Sequence, residues 1–143
     1  MVVTDRAVGV PPEGTCVMAV VAWIVLALAA VLHLYIWWLE SFAWTRPRTR
    51  AIFGMSPEQA AAMKPMAFNQ GFYNLFLAII LFAGIAMRPN GFSGAGGALV
   101  AAGAGSMLLA AVVLVASDRG QIRAAVTQGA LPALGLLALA QSA

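Results

Sequence analysis

Residues 16–40 read CVMAVVAWIVLALAAVLHLYIWWLE, and no formally charged side chain interrupts the run before Glu40. At 1.5 Å per residue, a helix over residues 16–39 is roughly 36 Å long, enough to cross a hydrocarbon core with some tilt. His33 is the chain's only histidine and lies inside this run. An ionisable group at membrane depth is costly, so it is either paired or put to use.

Outward from this run, three more stretches are long and apolar enough to span: about 66–87, 94–117 and 124–140. The whole chain is 62% hydrophobic and only 9% charged, too few polar residues to clothe a soluble domain. The expected fold is therefore all-α: a polytopic membrane protein with four transmembrane helices and a short interfacial helix between the first and second. Residues 1–15, with Asp5, Arg6, Pro11, Pro12 and Glu13, read as a polar N-terminal tail, and 16–143 as a single four-helix transmembrane domain. No cleavable signal is expected, because apolar sequence continues well past Ala27-Leu28-Ala29. Cys16 is the only cysteine, which excludes an intramolecular disulfide or a CxxC pair.

The stretch 41–65 is the one substantial loop. Arg46, Arg48 and Arg50 follow the tryptophans, positioned as anchors for lipid headgroups, and Pro47 implies an extended or turned backbone. Ser56-Pro57-Glu58-Gln59 then carries a helix-start signature: serine as cap, proline at the first position, glutamine closing a capping box. This is the expected interfacial helix, ending at Lys64 before Pro65. In the third span, Gly94, Ala98, Ala102, Ser106 and Ala110 recur every fourth residue, beside a row of Gly97, Ala101 and Gly105. Small side chains let helix backbones approach closely, so this span is expected to be central to the bundle or to a homo-oligomer or partner interface through Gly97, Ala101, Ala102, Gly105 and Ser106. In the fourth span Pro132 leaves the carbonyl of Gln128 without its helical donor.

Basic residues set the orientation. The 41–65 and 118–123 loops share one side and hold Arg46, Arg48, Arg50, Lys64, Arg119 and Arg123, against Arg6 and Arg88 on the other. That bias places the two loops in the cytoplasm and both termini outside. The positive charge is scattered over loops, which suits a lipid bilayer surface and not nucleic acid.

Several polar residues gather at the end of the bundle near Glu40. His33, Trp37 and Glu40 share a face of the first helix; Asn69 stands one turn from Tyr73, and Gln70 one turn from Asn74; Gln128 enters from the fourth helix. Counted from the interface, His33 and Asn74 should lie at similar depths, about 10 Å in. The structural alternative for each is plain: His33 as a hydrogen-bonding strut, Glu40 paired with Arg46 or Arg48, the amides as interhelical glue. Against glue alone, two helices seldom need so many amides to adhere, and a ligand pocket lined by His33, Trp37, Glu40, Asn69, Gln70, Tyr73, Asn74 and Gln128, with Asp118 at its mouth, is the sharper reading. No metal site or cofactor is expected, since no second histidine or cysteine lies near His33. No catalytic residue is assigned: His33 as a base oriented by Glu40 fails on distance, their positions being about 10.5 Å apart along the helix.

The motifs HLYIWWLE at 33–40, WTRPRTR at 44–50, FGMSPE at 53–58 and NQGFYNLFLA at 69–78 resemble the bacterial membrane proteins grouped as DUF1304, and QGALPA at 128–133 is similar to that family's end. The resemblance implies a four-helix protein of the bacterial cytoplasmic (inner) membrane and brings no activity with it. Two functions remain in view: binding or moving a small molecule through a polar pocket near the cytoplasmic side, or acting as a non-catalytic accessory or assembly subunit that docks through the third helix. A phosphatase that folds only outside the cytoplasm tests the orientation. Fused after Ala143 it should be active, and fused within 118–123 inactive; the reverse pattern rejects the assignment.

Overall fold

The computed structural model describes residues 13–88, 90 and 93–142, so most of the expected polar tail lies outside the described residues. Four long helices, α1 (Glu13–Phe42), α3 (Pro57–Met87), α4 (Ser93–Ser117) and α5 (Ile122–Gln141), are each apolar enough to cross a membrane. A short helix, α2 (Pro47–Phe53), joins α1 to α3, and one 3-10 turn, Arg119–Gln121, precedes α5. Helix α1 packs on α3 and α5, and α4 packs on the same two from the other side. The result is a four-helix bundle in up-and-down order.

Each helix turns a narrow seam inward. Ala22, Leu26, Ala29 and His33 form it in α1; Gly71, Asn74, Ala78, Leu81 and Gly84 in α3; Gly96, Val100, Gly103, Met107 and Ala111 in α4; Ala125, Gly129, Pro132 and Gly135 in α5. Successive seam residues are three or four apart, as side chains packed along nearly parallel helices require. Outside the seams, Val20, Ile24, Leu28, Phe76, Ile79, Val113 and Leu134 are exposed, a surface suited to acyl chains.

Glycine sets how closely these seams meet. A β-carbon on Gly84 would lie 2.8 Å from the Val100 nitrogen and 2.9 Å from the Gly96 carbonyl oxygen, both backbone atoms that cannot swing aside. One on Gly135 would meet the Leu26 side chain at 2.7 Å. The seam of α4 is not the row its sequence suggested. Ala98, Ala102, Ser106 and Ala110 are exposed, and Gly97 and Gly105 face open space. Because small residues occur on every face of the first half of α4, size alone gives no direction; Val100 and Met107, its fully buried larger side chains, mark the inward face.

The link between α1 and α3 also departs from expectation. The Ser56 capping box forms, with Ser56 Oγ accepting from the Gln59 backbone and the Ser56 N–H donating to Gln59 Oε1 at 2.9 Å. Yet the helix it starts continues through Pro65 to Met87, so residues 57–64 are the first turns of α3 and not a separate interfacial helix. Pro65 deprives the Ala61 carbonyl of its helical donor. One residue earlier, the Trp44 indole N–H donates to the Ala60 carbonyl at 3.0 Å, and Trp44, Phe53, Met55 and Ala67 pack about that point. This outside bracing holds the arm in helix. The short interfacial segment is instead α2, which starts with Pro47 at its first position after an extended Arg46 and stops at Gly54, φ 65°.

Replacing Gly84 by alanine should lower stability by about 1–3 kcal/mol, since the α3–α4 backbones must separate to admit one methyl group. Gly105→Ala, facing open space, should leave the melting temperature unchanged or raise it. Thermal unfolding in detergent, followed by circular dichroism, checks the contrast.

Candidate functional site

Where α1 ends and α3 and α5 begin, the bundle holds a cleft of about 710 Å³. Tyr35, Leu39 and Glu40 form its α1 wall, Met63, Met66, Asn69 and Gln70 its α3 wall, and Arg123, Thr127 and Gln128 its α5 wall. Trp44, Phe53 and Met55 complete it from the α1–α3 link. The volume lies within the range of small-molecule sites, and such sites pair an apolar lining with a few directed polar groups.

Glu40 is the acidic side chain of this lining, and α3 holds it. Asn74, buried in the α3 seam, donates from Nδ2 to Glu40 Oε2 at 2.9 Å and back to the Gln70 carbonyl at 3.3 Å. Glu40 therefore takes a neutral amide as partner and not Arg46 or Arg48. Close approach makes the bond possible: a β-carbon on Gly71 would collide with Ser41 Oγ and come within 3.2 Å of Glu40 Cβ. Asn74 thus stands level with Glu40, and His33 lies about 10 Å further along α1. The shared depth expected for His33 and Asn74 assumed a second span starting at Met66. Since α3 extends outside the bundle from Pro57, its register against α1 moves by several residues.

The structure divides the sequence-derived candidates. Glu40, Asn69, Gln70 and Gln128 line the cleft; His33, Trp37, Tyr73 and Asn74 do not, nor does Asp118. His33 is 1% exposed, and its Nδ1–H donates to the Ala29 carbonyl at 2.9 Å within its own helix, leaving Nε2 as the acceptor of the neutral ring. Trp37 packs edge-on against Phe72 and Phe42, with ring centroids 6.1 and 5.5 Å away, and its buried indole N–H has no partner among the described residues. Tyr73 is turned outward, and Asp118 accepts from the Gly120 N–H at 2.8 Å as the cap of the 3-10 turn. Helical spacing missed Trp44, Phe53 and Met55, which the α1–α3 link brings in, and Met63 and Met66 on the first turns of α3. Pro47 and Gly54, bracketing α2, were the available signal.

Two arginines mark the ends of α1. Arg46 lies over the Trp38 ring at 5.5 Å and Arg88 over Trp23 at 4.7 Å. Along α1 these rings are roughly 22 Å apart, inside the roughly 30 Å thickness of a hydrocarbon core. Arg46 and Arg48 also flank a recess of about 250 Å³ beside Trp38 and Thr49, which Arg50 does not line. Among the described residues, no group of three or more His, Cys, Asp or Glu could hold a metal ion.

Four spanning helices, outward apolar faces and arginine–tryptophan pairs at both ends define a multi-pass membrane protein of the four-helix class. Residues 27–140 match the model of DUF1304, a protein family of unknown function, and the chain belongs to that family. No curated protein matches it, and no solved structure does.

Asn74→Leu should destabilise the fold by about 1–3 kcal/mol, because it leaves the half-buried Glu40 carboxylate without its donor. Combining it with Glu40→Gln should recover part of that loss. If the single variant melts with the wild type, the bond carries no weight.

Proposed function

We propose that this membrane protein binds or moves a small amphipathic molecule through the cleft at the Glu40 end, without catalysing its conversion. One observation carries the reading: Glu40 from α1, Gln70 from α3 and Gln128 from α5 line a single cleft of about 710 Å³ whose remaining walls are largely apolar. Three helices each supplying hydrogen-bonding side chains, against a largely apolar background, is the pattern that orients a bound molecule. The excess of Arg and Lys in the 41–65 and 118–123 loops supports a cleft facing the cytoplasm in the bacterial inner membrane, with both termini outside. On this reading Arg46 and Arg48 anchor the chain to anionic headgroups, and Arg50 adds to the charge of that surface. His33 and Asn74 act from behind the lining, Asn74 by holding Glu40.

A second reading, an accessory subunit, draws support from the exposed row of Ala98, Ala102 and Ser106, with Gly97 and Gly105 in open space beside it. Its occupant would be a membrane helix, from a second copy or another chain.

Mass measurement on the chain released from native membranes separates the two readings. The cleft reading expects a small molecule retained by the wild type and lost from Gln70→Leu/Gln128→Leu, with the melting temperature of the double variant showing that it folds. Retention unchanged by that variant, or no bound molecule in any preparation, rejects it. A stoichiometric protein partner, released by Ala102→Leu/Ser106→Leu, favours the accessory subunit.

A further inference from the structure

The cleft's charge and lining narrow its occupant, on the reading that the cleft is a binding site. Its acidic group, Glu40, is hydrogen-bonded to a neutral amide, and among the described residues no cationic side chain pairs with it. A carboxyl so placed has its geometry fixed and no cationic partner, and since reduced dielectric disfavours a lone charge and strengthens a pair, an entering cation is what stabilises its ionised form. The opposing surfaces have a matching preference. Trp44 and Phe53 stand with ring centroids 5.0 Å apart and tilted by 49°, both in the lining of the cleft, with Met55, Met63 and Met66. Aromatic faces attract cations and repel anions, and thioethers are polarisable, adaptable contacts for an irregular apolar body. Arg123 also lines the cleft, but it is exposed in the first turn of α5, where water screens its charge.

We propose that the cleft takes a monovalent organic cation with a bulky apolar body, using the Glu40 carboxylate as counter-ion and the Trp44 and Phe53 rings as its aromatic wall. Asn74 is a positioning residue here, aiming the carboxylate into the cleft from α3. A quaternary ammonium or phosphonium compound has the required chemistry, since it offers charge without hydrogen-bond donors to the Trp44 and Phe53 rings.

Tetraphenylphosphonium and tetraphenylborate share shape and size and differ in the sign of their charge, so they test the inference directly. Equilibrium dialysis against the full chain in detergent, with protein-free micelles subtracted, should show saturable binding of the phosphonium at least tenfold tighter than of the borate. Glu40→Gln keeps the side chain's size and should weaken phosphonium binding at least tenfold. Glu58→Gln, the same change outside the cleft, should alter it less than twofold. Circular dichroism on each variant confirms the fold. If both ions bind equally, and Gln70→Leu/Gln128→Leu weakens both, the cleft reading survives and the cation inference falls. A preference for the borate that is lost in Arg123→Gln overturns the inference in favour of an anion. Saturable binding of neither ion overturns it as well, while a co-purified molecule held by Gln70 and Gln128 would still sustain the cleft itself.

Discussion

Two apolar helices in a bilayer have little to gain by leaving acyl chains for each other, so backbone proximity must supply what hydrophobicity cannot. The bundle meets this constraint with glycine and alanine at its crossings. Gly84 sits on the backbone of α4 at Gly96 and Val100, Gly129 meets Ala111, and Gly135 receives Leu26. At such separations dispersion contacts are dense, and a polar side chain in a seam must find its partner within a few ångströms. His33 finds one on its own helix and Asn74 finds one across the crossing at Gly71. The same closeness that holds α1 to α3 therefore fixes the carboxylate of Glu40.

The cleft of about 710 Å³ lies where this rule lapses. Beyond Gly71, Ser41 of α1 still reaches the Phe68 carbonyl at 3.4 Å, but the next inward residues of α3, Ala67 and Ala60, pack with Trp44, Phe53 and Met55. The chain between α1 and α3 thus acts as a spacer, holding the arm of α3 in place while α5 starts on the far side. The cleft is the volume those three parts enclose, and its mixed character follows from its builders: spanning helices bring the amides, a carboxylate and the Met63 and Met66 thioethers, and the link adds Trp44, Phe53 and Met55.

Hydropathy was sufficient to read the number and placement of the spanning helices, because a hydrocarbon layer demands long uninterrupted runs and tolerates few charges. Ser56 and Gln59 were equally legible, since a capping box is local chemistry. Proline was not. Pro47 is compatible with a turn or with the first position of a helix, and its choice depends on Gly54 seven residues later. Pro65 would end an isolated helix, yet Trp44 and its neighbours, sixteen or more residues upstream for the indole bond, hold the helix together. That misreading displaced the register of α3, which is why Asn74 was matched with His33 when its partner is Glu40. Helical spacing found Glu40, Asn69, Gln70 and Gln128 because each lies on a face near one end of its helix. It could not find the wall from Trp44 to Met66, which exists only once the link has folded back.

The continuity of α3 through Pro65 has a mechanical corollary. A helix of 31 residues is roughly 46 Å long, well beyond the hydrocarbon thickness, so its outer turns project past the lipid as a lever arm. Tilt is how a long span adjusts to a thinner or thicker bilayer, and the arm from Pro57 to Pro65 reaches about 12 Å from its exit point. A tilt change of about 10° would sweep its tip through about 2 Å, carrying Gln59 and Met63 across the opening opposite α5. A change in membrane thickness would therefore reach the Gln59 and Met63 side of the cleft through the tilt of a single helix.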